Sequence, residues 1–92
     1  MSWTLITTAE FDRRARKFLK RHPDLRPCFV ETLEKLYTDP FDPSLRLHQL
    51  GGKLKDLHAA SLTYSYRIVL VLRVTEYEIL LIDIGSHDEV YG

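Results

Sequence analysis

The chain has 92 residues, with 13 Lys and Arg against 13 Asp and Glu, 45% hydrophobic residues and one cysteine. That length holds one small domain, residues 1-92, which buries roughly 60% of its unfolded surface on folding, so two-domain architectures and internal disulfides are excluded. The longest apolar runs, Ile68 to Leu72 and Ile79 to Ile82, fall far short of the roughly 20 residues that cross a bilayer, which excludes a membrane-spanning helix.

Taken in chain order, residues 2 to 6 form a β-rich opening around Trp3, Leu5 and Ile6 and are expected to be a strand, with Trp3 in the core. Thr7 followed three residues later by Glu10 has capping-box spacing, so a helix is expected from near Thr8. Phe11, Ala15, Phe18 and Leu19 make its apolar stripe, and Arg13, Arg14, Arg16, Lys17 and Lys20 occupy the rest of the circumference. His22-Pro23 stops it, because the residue before proline is pushed out of the α region.

A second helix is expected from Pro23 or Asp24 to Asp39, with Leu25, Phe29, Leu33 and Leu36 on one face. The short link makes the two helices an antiparallel hairpin. DPFDPS, residues 39 to 44, is a turn-rich connector to the sheet. After Gly51-Gly52 the period changes to two: a strand through Lys53 to His58, then Tyr66 to Val74 and Tyr77 to Ile84 joined by a short turn at Thr75-Glu76. Tyr66, Ile68, Leu70 and Leu72 face one way, Arg67, Val69, Val71 and Arg73 the other. The expected fold is α+β, with an N-terminal strand and an antiparallel helical hairpin packed on one face of a largely antiparallel four-stranded sheet.

The zero net charge hides a polarised chain. Residues 9 to 26 carry seven Lys and Arg against three acids, and residues 44 to 73 carry five against Asp56 alone. Residues 74 to 92 hold five acids and no Lys or Arg. The basic parts suit a phosphate backbone, or simply a solvated helix face. Nothing at the N-terminus resembles a signal sequence, and Cys28 on a helix reads as a small core hydrophobe in a reducing compartment, so the cytoplasm is the expected location.

His48, His58 and His87 lie outside the helices, ten and twenty-nine residues apart, without a nearby cysteine. That spacing fits proton transfer better than zinc ligation, and no metal or other cofactor is expected. Nucleophile-elbow and phosphate-loop motifs are absent. Metal-free cleavage of RNA needs a base for the ribose 2′-hydroxyl, an acid for the leaving 5′-oxygen and a cation for the phosphoryl charge. Histidine, with an unperturbed pKa of about 6.5, suits both proton steps, and Arg67 offers a planar fork to the phosphate.

The segment RLHQLGGKLKDLHAA, followed by SYRIVLVL and the ending IDIGSHDEVYG, resembles the RelE/ParE toxin superfamily and most of all its YafQ-like branch. The ending is the most specific part. The resemblance implies a small cytoplasmic ribonuclease of a bacterial type II toxin-antitoxin system. Such an enzyme cleaves messenger RNA in the ribosomal decoding site, leaving a 2′,3′-cyclic phosphate or its hydrolysis product. The implied partners are a cognate antitoxin, the ribosome and mRNA. By motif, His48 matches the histidine of the His-x-Leu-x-Gly turn, Asp56 and His58 match Asp-x-His, and His87 matches the general acid. Tyr91 stands where the branch has phenylalanine, which implies that it stacks on a base or shapes the substrate pocket. The YafQ-like pattern expects a further acid after Asp-x-His. Here AASLTYSYR has none, and Arg67, which matches an arginine of other RelE-like chains, takes up part of that load.

Each residue also has a plainer reading. His48 can cap a loop, His58 can be a strand residue bonded to a carbonyl, and His87 a solvated turn residue. Asp56 can serve only a surface salt bridge, worth about 0 to 1 kcal/mol. Lys53 and Lys55 fit either substrate binding or the protection of an edge strand. The alternative function is a ParE-like inhibitor of a protein target such as gyrase, which shares the fold without catalysis.

Overall fold

The structure is a computed structural model and describes residues 2–51 and 56–91, the side chain of Tyr91 excepted. The first strand, β1 (Thr4–Ile6), leads into α1 (Ala9–Arg21). The cap is Thr8, one residue later than the sequence spacing suggests: its Oγ1 accepts from Phe11 N at 3.0 Å. Phe11, Ala15, Phe18 and Leu19 are all buried, as the stripe predicts.

The second helix does not start at Pro23. Pro23–Leu25 is a 3₁₀ turn, and α2 runs Arg26–Thr38. A continuous α-helix from Pro23 would set the Pro27 ring against the Pro23 carbonyl and lack its hydrogen bond, so that carbonyl instead accepts from Arg26 N. Thr32 is buried on α2 because its hydroxyl donates to the Cys28 carbonyl at 2.8 Å, and the Cys28 thiol donates to the Leu62 carbonyl at 3.0 Å.

A second 3₁₀ turn, Pro43–Leu45, precedes β2 (His48–Gln49), β3 (Leu57–Ser61), β4 (Tyr66–Arg73), β5 (Glu78–Ser86) and α3 (His87–Tyr91). The sheet has five strands in the order β1-β5-β4-β3-β2, one more than the sequence suggests, because the pair His48–Gln49 adds to the edge of β3. All pairings are antiparallel except β1 with β5. Of the expected strand through Lys53 to His58, Leu57 and His58 open β3 and Asp56 lies in the turn before it, while Lys53 and Lys55 lie outside the described residues.

Ile68 and Leu70 of β4 and Ile79 and Leu81 of β5 meet the α1 stripe in the main apolar core. Trp3 joins them, 6% exposed, with Tyr77 and Phe41 against its ring at 5.1 and 5.9 Å. Leu70→Ala is expected to cost about 2–5 kcal/mol through lost burial and a cavity, read as a fall in the urea midpoint with unchanged slope.

Along β5, Val69 pairs with Asp83 and Leu70 with Leu81, so Ile82 is the extra residue of a β-bulge. Asp83 beside it accepts from Ile84 N at 2.8 Å and from Arg14 of α1 at 3.0 Å, tying helix to sheet.

Candidate active site

Residues directly opposite on antiparallel strands share a face. Ile68 and Leu70 face the helices, so Arg67 and Val69 face away from them, and with them Ser61 and Ala59 of β3. His48 of β2 is opposite Ala59 and belongs to the same face, away from α1 and α2. Ala59 and Val69 are buried there, outside the main core, and form an apolar floor beside Arg67.

Over this face opens a groove of about 630 Å³ lined by Arg46, His48, Ser61, Thr63, Tyr64 and Arg67, with Ser44 and Leu62 completing the wall. Two guanidinium groups, one imidazole and four hydroxyl side chains from different elements meet there. Tyr64 stands 95% exposed at the turn between β3 and β4. Of these, only His48 and Arg67 stand out in the sequence. Arg46, Ser61 and Tyr64 carry no local signature, because loop and strand pairing bring them in.

Arg46 is left-handed, with φ at 48°, a conformation uncommon for a residue with a side chain. Its carbonyl then lies 3.1 Å from Nδ1 of His48. A carbonyl can only accept, so Nδ1 carries the proton, and in the neutral ring Nε2 holds the lone pair of a base. The same device recurs at His58, whose Nδ1 donates to the Asp56 carbonyl at 3.1 Å.

His58 nevertheless sits elsewhere. It is opposite Leu70, on the helix-facing side of the sheet and half-buried, whereas Arg67 faces the groove. Pairing begins with Ser61 opposite Arg67, and a period of two then sends His58 to the other side. Asp56 is exposed in the turn before β3, and its backbone carbonyl also accepts from Leu72 N at 3.4 Å. Neither residue lines the groove.

His87 opens α3 directly after β5, its side chain 66% exposed and Nδ1 3.6 Å from Asp88 Oδ1. Two residues earlier, Gly85 is the β5 partner of Arg67, so His87 emerges at the Arg67 end of the sheet. The sequence did not suggest α3. The Tyr91 side chain, a candidate for substrate contact, lies outside the described residues.

Among the described residues no group of three or more His, Cys, Asp and Glu is gathered as a metal site. Among the described residues no helix is long and apolar enough to cross a membrane.

No family model and no curated protein matches the chain. Solved structures do. The Escherichia coli DinJ-YafQ toxin-antitoxin complex contains a chain with TM-score 0.81 at 17% identity, both chains covered completely. The chain has the YafQ-like RelE fold. A metal-bound toxin from Helicobacter pylori matches with TM-score 0.69 and 27% identity over 98% of this chain and 99% of that one. A copper-bound point mutant of a toxin from the same organism gives TM-score 0.70 at 25% identity, with the same coverage. This YafQ-like fold leaves one sheet face clear of the helical hairpin, and the groove with His48 and Arg67 lies on that face.

Proposed function

We infer that this protein is the toxin of a bacterial type II toxin-antitoxin pair. It acts as a ribosome-dependent endoribonuclease that cleaves mRNA in the decoding site by metal-independent acid-base chemistry. The observation that carries this reading is the convergence of His48 and Arg67 on one groove away from α1 and α2, with His87 at the same end of the sheet. The YafQ-like fold, seen in a toxin bound to its antitoxin, supports the toxin assignment.

In this mechanism Nε2 of His48 takes the proton of a ribose 2′-hydroxyl, and the 2′-oxygen attacks the adjacent phosphorus. Charge that grows on the non-bridging oxygens meets the Arg67 guanidinium. The bond from phosphorus to the 5′-oxygen breaks, His87 gives that oxygen its proton, and a 2′,3′-cyclic phosphate remains. Asp56 and His58 take no proton in this scheme. The three histidines belong to β2, β3 and α3 and to different sides of the sheet, which fits proton transfer better than joint ligation of one ion.

The test is primer extension on mRNA from translating ribosomes with and without the protein. New 5′ ends within codons support the reading. Intact mRNA with inhibited gyrase would support a ParE-like inhibitor instead.

Arg67→Lys is expected to slow the chemical step far more than it weakens ribosome binding, because an ammonium lacks the planar fork that pairs with two phosphoryl oxygens. Lys53→Ala or Lys55→Ala is expected mainly to weaken binding and flatten its salt dependence. Single-turnover kinetics at saturating protein separates the two cases.

The antitoxin's contact is proposed on α1. A second groove, of about 430 Å³, is lined there by Arg13, Arg14, Lys17 and Arg21 with Phe18 and His22, against Asp83 and Glu89. An acidic segment that folds on binding complements such a surface. Charge reversal at Arg13 and Lys17 is expected to weaken antitoxin affinity and its dependence on salt. Unchanged affinity in calorimetric titration would mean a chiefly apolar contact.

A further inference from the structure

α3 has only five residues, His87–Tyr91, too few to be stable by local hydrogen bonding alone. Its position must come from contacts at its ends. Ser86 N donates to Glu89 Oε1 at 2.8 Å, and Glu89 N donates to Ser86 Oγ at 3.3 Å, a reciprocal capping box that encloses His87. The second oxygen of the same carboxylate lies 3.8 Å from Nη1 of Arg21 at the end of α1. Beneath it, a Cβ at Gly85 would come within 3.1 Å of both the Cβ and Oε1 of Glu89, so the missing side chain is what lets α3 lie this close to β5. The bonds from Ser86 hold the Glu89 carboxyl below the usual carboxylate range, so it is ionised at neutral pH.

We propose that Glu89 is the positioning residue for His87: its side-chain oxygen closes the Ser86 cap, which fixes the short helix whose first residue carries the imidazole. This inference rests on the proposed nuclease function for its consequence but not for its geometry. Glu89 touches no reacting atom. Its effect passes through the position of His87 relative to the Arg67 end of the sheet.

Two variants and two readouts test it. Glu89→Ala removes the cap acceptor, whereas Glu89→Gln keeps an oxygen for Ser86 N and loses only charge. Amide hydrogen exchange at residues 87–90 needs neither RNA nor ribosome. It is expected to speed up by about 10-fold or more in Glu89→Ala and to stay within about 3-fold of wild type in Glu89→Gln, with global unfolding unchanged in both. Single-turnover cleavage is expected to fall by about 10- to 100-fold in Glu89→Ala at unchanged half-saturating concentration, and to be rescued by Glu89→Gln.

Wild-type exchange in Glu89→Ala, or a glutamine variant as impaired as the alanine one, overturns the inference. So does loosened α3 with full cleavage by Glu89→Ala in an active preparation. If the wild-type protein cleaves nothing on ribosomes, the nuclease reading falls, and exchange alone decides whether Glu89 fixes the helix that bears His87.

Discussion

Replacing His87 with alanine is expected to slow single-turnover cleavage of ribosome-bound mRNA by about 10²- to 10⁴-fold, the range typical of a lost general acid or base. The side chain is 66% exposed at the first position of α3, with Nδ1 3.6 Å from Asp88 Oδ1. It is exposed and is not one of the buried core residues. Stability should therefore change by less than about 0.5 kcal/mol, as for most surface substitutions. Antitoxin binding through α1 should persist, since His87 does not line the basic groove. The ideal measurement pairs urea unfolding with single-turnover kinetics, so that loss of rate is not mistaken for loss of fold. Near wild-type cleavage by the alanine variant would remove His87 from the mechanism and leave the leaving-group proton to another donor.

The second large effect separates two histidines that the sequence treats alike. His48→Ala is expected to reduce the chemical step by about 10²- to 10⁴-fold, while His58→Ala should leave the rate within about 10-fold of wild type. Both rings have Nδ1 bonded to a carbonyl two residues earlier, at 3.1 Å in each case, so tautomer does not distinguish them. Position does. His48 lines the groove with Arg67, whereas His58 is opposite Leu70 on the side that carries the helices. The cost of His58→Ala should appear in stability instead, because the ring is half-buried and tied to the Asp56 carbonyl. Equal kinetic losses in the two variants would show that the substrate reaches around the β2 edge to both faces, and the one-face mechanism would then be wrong.

The elements whose information is local were legible in the sequence. The stripe Phe11, Ala15, Phe18, Leu19 gave α1 its buried face, proline ended it, and alternation along Tyr66 to Arg73 divided β4 into a core side and an arginine side. These follow from the helical period of 3.6 and the strand period of two, which act within one segment. The family resemblance carried by the ending IDIGSHDEVYG, rather than any periodicity, singled out His87 without knowledge of α3.

What only the tertiary structure decided was pairing between segments. Which face His58 takes depends on Ser61 meeting Arg67, and a slip of one residue would have sent it to the groove. Arg46 enters the site because a left-handed turn, closed by its bond to Pro43, aims its carbonyl at His48. Glu89 becomes a link between α3 and α1 because Gly85 leaves room beneath it and Arg21 ends the first helix nearby. The sequence separations behind these contacts carry no periodic signal. Their geometry is fixed by strand register and close packing across the fold, which no single segment encodes.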